Sequence, residues 1–579
     1  MAKLILTCRK DGRKDPLFHE KIQALSRRLS PDNITPHPPK FVEDSGAAMA
    51  IFNPSPHLPV HNASVCLGNM IRPPQDWWRP GTPAPEGSYA LFRSDEKTVE
   101  IATDILASRT VWYAHTGNLF LASTSQRAII SFLQEFEPQK AVYPWMLSSG
   151  TLGPAFSWDS RIQCLPADSR LVLDRADWDL SIQRTPVQFH PLPMPDVEHE
   201  NQVRETVARV FQNLDLDYSR WVLPLSGGRD SRAILLYLQD RKNLQCITWG
   251  LEESLDDKQN DAFIARSLAK RFHLEHLYFP IGLSGEPFPR LLDRFLAAGE
   301  GRSDNIAGYM DGFEIWKHLF RSGYHGILRG DQAFGNRSVS STKDVYKNMG
   351  LITLTDFDNL EPIAPVIRQF NQERPSWLER NEEEGLEDWR ERVSAEFEFP
   401  AIFAALNDIK LPYVEIVNPL LSHSIVRRIR HLPPPLRTDK TLFLRILKSM
   451  GPPIPFARHR AVALTTDYLD SPEAVEFIMD EVTSQHGRSL LPEELIRFIV
   501  QNMAAAEKPG KKKTSLARRT LRRMVPQNVR KWRKSRLLKR NLDLNLLGFR
   551  ACLICRMTEI LSEDARSLSH LPLQARKNG

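Results

Sequence analysis

The stretch "WVLPLSGGRDSRAILLYL", residues 221–238, decides how this chain is read. A short apolar run ends in Ser-Gly-Gly, a charged pair follows, and apolar residues then recur at helical spacing. This order predicts a buried strand, a tight turn and a helix that begins near Asp230. The first turn of a helix leaves backbone N–H groups unpaired, and its dipole adds positive potential, so the turn attracts anions. Gly227 and Gly228 let a phosphate approach the backbone closely. Ser226 and Ser231 add hydroxyl donors. Asp230 repels a bare phosphate, but it fits a site where Mg2+ bridges carboxylate and phosphate. The loop matches neither G-x-x-x-x-G-K-[ST] nor G-x-G-x-x-G.

Moving outward, apolar strands alternate with amphipathic helices. "VRETVARVFQNL" (203–214) has helical spacing, "LQCITWG" (244–250) is a second apolar strand, "NDAFIARSLAKRF" (260–272) is helical and "LEHLYFP" (274–280) strand-like. That alternation indicates a parallel α/β sheet. From about 285 to 480 helices dominate. Residues 1–195 differ: "GSYALFRS", "KTVEIATD", "VWYAHTG", "LFLASTS" and "SRLVLDR" are short runs rich in β-formers, separated by turn residues. The Pro-rich "HPLPMPDVEHE" (190–200) reads as a linker. Three domains are therefore expected: 1–195, 196–480 and a helical extension 481–579.

Composition agrees with a folded chain. It has 579 residues, 41% hydrophobic and 25% charged, which is ordinary globular usage. No apolar run approaches the roughly 18 residues that span a bilayer, and the first residues do not read as a secretory signal. Six scattered cysteines fit a reducing compartment, so a cytoplasmic protein is expected. Cys552 and Cys555 form a lone C-x-x-C, read as an inward-facing helix segment. The net charge of +7 is uneven: residues 508–540 hold fifteen Lys or Arg and no Asp or Glu, leaving the rest of the chain at −8. That basic segment suits an anionic partner or a solvated face.

"PLSGGRDS" resembles the pyrophosphate loop S-G-G-x-D-S of the N-type ATP pyrophosphatases, and the whole chain resembles their asparagine synthetase-like group. "ILRGDQAFGN" (327–336) resembles the second phosphate segment, S-G-E-G-x-D-E-x-F-G-G. Two alignments exist: one makes Asp331 the second Mg2+ ligand, the other puts it at an acid/base position. The first keeps Phe334 and Gly335 in register and is preferred. "EIVNPLLSHSIVRRIRHLP" resembles E-x-R-x-P-F-L-D through Glu415 and Pro419, with Val417 where Arg is usual. "DKTLFLRILKSMGPPIPFARHR" resembles K-x-x-L-R…LP…R-x-K, with Arg460 in place of a frequent catalytic Lys.

The resemblance implies a fold: an N-terminal-nucleophile (Ntn) hydrolase-like α+β domain, then a parallel-sheet adenine nucleotide α-hydrolase-like synthetase domain with a helical C-terminal part. It implies ATP and Mg2+ as cofactors. Leu225, Ser226, Gly227, Gly228, Asp230, Ser231, Trp249, Gly250, Arg329 and Gly330 are then the nucleotide-binding residues, Asp230 and Asp331 the metal ligands, and Glu415, Arg460 and Asp331 the catalytic groups. The glutaminase of that group needs Cys immediately after Met; here residue 2 is Ala, so glutamine hydrolysis is expected to be lost. The amine must then come from the substrate. Within the group this points to the lasso-peptide macrolactam synthetases, which join an Asp or Glu side chain of a precursor peptide to that peptide's N-terminal amine. A precursor peptide is the expected substrate partner, with a leader peptidase or leader-binding protein beside it. β-Lactam synthetase, ammonia-dependent asparagine synthetase and a non-catalytic scaffold on this fold are the alternatives.

Overall fold

The computed structural model describes residues 3–238, 241–282, 284–504 and 541–569. Residues 1–2 and the basic segment 508–540 lie outside the described residues.

Two six-stranded antiparallel sheets fill residues 3–184. The first has the order Gln163–Cys164, Trp112–His115, Leu119–Ser123, Lys3–Arg9, Ala47–Phe52, Lys40–Glu43. The second has the order Leu180–Arg184, Ser169–Asp174, Thr98–Thr103, Glu86–Ser94, Ser64–Ile71, Val60–His61. Side chains alternate across a strand, so one strand serves two cores. Leu4, Leu6 and Cys8 enter a core with Val65, Phe92, Ile101 and Leu171 of the second sheet. Ile5 points the other way, beneath Ile22 and Leu25 of helix Phe18–Arg28. The runs read as strands in the sequence are strands here.

The second architectural unit is a five-stranded parallel sheet, ordered His276–Pro280, Gln245–Gly250, Trp221–Pro224, Gly326–Leu328, Glu415–Val417. The chain enters at the central strand, builds outward to one edge, then returns to build the other. The order therefore reverses beside Trp221–Pro224, and the crevice beyond the carboxyl ends of the strands at such a point is where open α/β sheets bind ligands. Both sheet faces are covered, which explains the near-continuous apolar strands. Val222, Ile247, Ile327 and Ile416 face one core, and Leu223, Cys246, Leu328 and Val417 the other. The architecture is thus mixed α/β, with antiparallel and parallel sheets in one chain.

Helix Leu544–Arg566 joins these parts. It packs against helices Gln126–Leu133, Val142–Ser149 and Pro472–Thr483, with Cys552 and Cys555 fully buried. Asp564, also fully buried, accepts from Arg127 Nε at 2.7 Å and Nη2 at 3.0 Å, and pairs with Arg28. The six cysteines are all free. No helix among the described residues is long and apolar enough to cross a membrane.

One helix is irregular. Leu386–Val393 is α-helical, Ser394–Phe403 is π-helical, and Ala404–Asp408 is α-helical again. Pro400 sits inside the π segment. Proline lacks an N–H and clashes with the carbonyl four residues back, and a widened turn accommodates it. This segment forms one wall of the site.

Candidate active site

The loop after Trp221–Pro224 is tightly braced. Leu225, 1% exposed, donates its N–H to the Ile247 carbonyl at 2.8 Å, so it anchors the loop from the core. Ser226 N donates to Ser231 Oγ at 3.0 Å, and Gly228 N to Ser226 Oγ at 3.2 Å. The Asp261 carboxylate, at the start of helix Asp261–Arg271, lies beside the Gly227 amide, which favours its charged form. Two of the expected phosphate donors, the amides of Ser226 and Gly228, are therefore engaged within the protein, and the Asp261 carboxylate lies beside the third. An incoming phosphate must displace these partners. Burial pushes the Asp261 carboxyl above its usual range, so Asp261 gives up this place more readily than an exposed carboxylate would.

Residues 454–457 cross the same loop. Ala457 N donates to Gly227 O at 2.9 Å, and a Cβ on Gly227 would stand 2.7 Å from the side chains of Ala457 and Ile264. Arg232 holds the crossing by donating to the carbonyls of Ile454 at 2.7 Å and Pro455 at 2.9 Å, with its guanidinium 4.2 Å from the centre of the Phe456 ring. Arg229, the variable letter of the motif, lies 6.0 Å from the same ring.

Three segments converge at the carboxyl ends of the central strands. Asp230 opens helix Asp230–Tyr237, Asp331 follows strand Gly326–Leu328, and Lys440 precedes helix Thr441–Met450. All three line one cavity of about 190 Å³. Lys440 Nζ lies 3.2 and 3.3 Å from the two Asp230 oxygens. Arg329 Nε donates to Asp331 Oδ2 at 2.7 Å. Burial pushes the Asp230 carboxyl up, Lys440 opposes that, and the Asp331 charge reinforces it. Gly330 permits the approach of the two loops, since a Cβ there would lie 2.9 Å from Ser231 N. Asp439 and Lys440 both adopt left-handed backbone, φ 57° and 59°, which aims the ammonium at Asp230 rather than continuing the helix backwards.

The D-x-x-F-G register has a physical basis. Phe334, 2% exposed, stacks on Phe443 with centroids 4.2 Å apart. Gly335 has φ 120°, and a Cβ on it would fall 2.0 Å from the Arg437 carbonyl. Lys440 was not among the residues singled out in the sequence, although the K-x-x-L-R signal contains it. Glu398 was also missed. It lies on the π-helical wall of the cavity and accepts from Ser394 Oγ at 2.5 Å. Burial pushes its carboxyl up to about 7, with the Ser394 hydroxyl opposing and Glu391 reinforcing.

Other expected residues stand apart. Glu415 opens its strand, at the amino end of the sheet, and does not line the Asp230 cavity. It pairs with buried Arg109 and borders a separate cavity of about 440 Å³ with His57, Asn69 and His325. Burial raises the Glu415 carboxyl, but Arg109 overrides this and holds it below the ordinary value. Glu415 therefore stands outside the Asp230 cavity, at the opposite end of its strand. The Arg460 side chain is exposed; its carbonyl accepts from Asn260 Nδ2 at 2.9 Å, and its charge acts on Asp261. Trp249 packs edge-on against Trp316 with centroids 5.5 Å apart. Gly250 has room for no side chain, because a Cβ would lie 2.5 Å from Ala461. Cys8 is buried and its thiol is pushed up to about 11, so it is no substitute nucleophile.

Among the described residues no group of three or more His, Cys, Asp or Glu side chains is placed to hold a metal. Two carboxylates that repel each other still suit Mg2+, which binds through one or two carboxylates with water and substrate phosphates. Asp230 and Asp331 fit an ion that arrives with a nucleotide.

No family model matches this chain, and no curated protein does. Among solved structures it is similar to the allosteric regulatory enzyme of purine biosynthesis, at 10% identity and a TM-score of 0.20, over 39% of this chain and 60% of that one. It is also similar to glutamine phosphoribosylpyrophosphate amidotransferase from B. subtilis, complexed with ADP and GMP. There identity is 10% and the TM-score 0.20, over 48% of this chain and 65% of that one. The chain spans less than two thirds of the length of either. Similarity of that extent defines no shared fold, and the activity of those enzymes remains theirs.

Proposed function

We propose that this chain is an ATP-dependent amide ligase of the asparagine synthetase-like kind, forming AMP and pyrophosphate. The observation that carries this reading is the convergence of Asp230, Lys440 and Asp331 from three segments, where the strand order of a parallel sheet reverses. A substrate carboxylate oxygen attacks the α-phosphorus of ATP, and the bond from that phosphorus to pyrophosphate breaks. The substrate amine then attacks the acyl carbon, AMP departs with the bonding electron pair, and the nitrogen loses a proton. Lys440 neutralises charge on the departing pyrophosphate. When bound between Asp230 and Asp331, Mg2+ supplies Lewis-acid stabilisation of phosphate charge. Glu398, poised near neutral pH on the cavity wall, accepts the amine proton. Arg460, exposed and always charged, attracts anionic substrate and shuttles no proton.

For the substrate, the sequence resemblance supports macrolactam formation on a precursor peptide in the cytoplasm, with a leader peptidase or leader-binding protein as further partner. A small-molecule ligase of the β-lactam or asparagine synthetase type is the second reading, favoured by the cavity, whose 190 Å³ admits one side chain or one small acid. ATP–pyrophosphate exchange tests the class. Exchange that requires an Asp- or Glu-bearing peptide or a small amino acid is expected, with hydroxylamine trapping the acyl group as a hydroxamate. Absence of exchange with every acid and peptide supplied refutes the ligase reading.

A further inference from the structure

Two arginines in the same cavity have no part in the chemistry described so far. Arg430, from helix His423–Arg430, and Arg437, from helix Pro434–Arg437, both line it. They are 8% and 1% exposed, yet among the described residues Arg430 Nη2 and Arg437 Nη1 have no hydrogen-bond partner. Buried donors are nearly always paired, because each unpaired one has lost its water without replacement. Of the other charged groups lining the cavity, Lys440 pairs with Asp230, Asp331 with Arg329 and Glu391 with Arg390, while Glu398 accepts from Ser394. Arg437 is also held rigidly. Its Nε donates to Leu432 O at 2.9 Å, its Nη2 pairs with Asp388, and its guanidinium lies 4.4 Å from the Phe189 ring centre. Two buried guanidinium groups with unspent donors, on different elements and one of them held rigidly, form a built site for an oxyanion.

We propose that Arg430 and Arg437 bind a carboxylate of the acyl substrate, carried on a short aliphatic chain: an acidic side chain or a small dicarboxylic acid. The acyl assignment rests on the ligase reading. Carboxylate is favoured over phosphate because Phe189, Phe399, Val426 and Ile429 also line the cavity and suit methylene groups.

Isothermal titration of the full chain with glutarate tests this, with glutaramide, inorganic phosphate and the Mg2+ complex of α,β-methylene ATP as separate titrants. Glutarate is expected to bind at least tenfold more tightly than glutaramide and than phosphate. Arg430→Gln and Arg437→Gln are each expected to weaken glutarate at least tenfold, and the Lys variants at both positions to weaken it less. Equal affinity for glutarate and glutaramide overturns the proposal, as does displacement of glutarate by an equal concentration of phosphate. So does unaltered glutarate affinity in the Gln variants. If the Gln variants fail to fold, the wild-type comparisons still decide. Wild-type protein that binds the nucleotide but not glutarate overturns the subsite alone. Wild-type protein that binds glutarate but no nucleotide overturns the ligase reading and leaves the arginine site as an anion site.

Discussion

Lys440 offers the sharpest test, because its contributions to stability and to catalysis separate. Its ammonium lies 3.2 Å from Asp230 Oδ1, with 20% of the Lys440 side chain and 35% of the Asp230 side chain exposed. At an effective dielectric near 20 the gross attraction at that distance is about 5 kcal/mol. Asp230 is a third open to solvent, so screening and side-chain entropy reduce the net to about 1 kcal/mol. Against this, left-handed backbone at a non-glycine residue costs about 1–2 kcal/mol, and Lys440 has φ 59°. Lys440→Met removes the charge and keeps the strain, so it is expected to lower unfolding stability by about 1 kcal/mol. Lys440→Gly removes both and is expected to be near neutral. Both variants lose the cation to which the proposed ligase chemistry assigns the pyrophosphate, and the expected loss in exchange rate is about 10²–10³-fold. Urea denaturation followed by tryptophan fluorescence gives the first quantity and ATP–pyrophosphate exchange the second. A glycine variant as stable as wild type but nearly inactive is the expected result. Exchange within threefold of wild type in Lys440→Gly refutes the catalytic role of the ammonium. Equal stability of the Met and Gly variants refutes the strain argument.

Three further outcomes follow from the geometry. Gly335→Ala puts a methyl against the Arg437 carbonyl at a φ of 120°, and thermal denaturation should show a loss of about 3 kcal/mol or more; an unchanged melting temperature contradicts the close approach. Glu415→Gln leaves buried Arg109 with an altered partner and should cost about 3 kcal/mol in denaturant, while exchange stays within a few-fold of wild type. A hundredfold loss of exchange there would return Glu415 to the chemistry. Glu398 is raised from 4.5 to about 7, so the folded chain holds a proton that the unfolded chain releases. Stability therefore falls as pH rises from about 4.5 to about 7, by at most about 3 kcal/mol, and is flat above. Glu398→Gln should abolish that slope, and an identical pH–stability profile in the variant counts against the raised carboxyl.

How far the sequence was legible depended on the range of the contact. Strands Trp221–Pro224 and Gln245–Gly250 were read from short apolar runs, and Asp230 was placed at a helix start by the glycine turn before it, because those signals are local. The meeting of Asp230 with Asp331 was readable only through the resemblance, since one hundred residues separate them in the chain. Glu415 illustrates the failure. The motif around it aligned well, but alignment carries no direction along a strand. Glu415 pairs with Gly326 at the amino end, whereas Asp331 follows Leu328 at the carboxyl end. Glu398 had no signal at all, because its position depends on a π-helical stretch that Pro400 alone does not announce.

The loop at Ser226 shows why a motif is weaker than a site. Its residues are those a phosphate cradle needs, and a strand and a helix flank it as required. Yet the amides of Ser226 and Gly228 already have partners, Ser231 and Ser226 in turn, and the Asp261 carboxylate lies beside the Gly227 amide. A cradle with vacant donors would be costly in the free protein, since unpaired buried N–H groups have lost their water. The chain meets that cost with hydroxyls and one carboxylate, which a stronger anion can replace. Under the proposed ligase reading, the Asp261 carboxylate beside Gly227 competes with the nucleotide phosphate. Nucleotide affinity then depends on the difference between phosphate and Asp261 at the Gly227 amide, a quantity that no reading of "SGGRDS" contains.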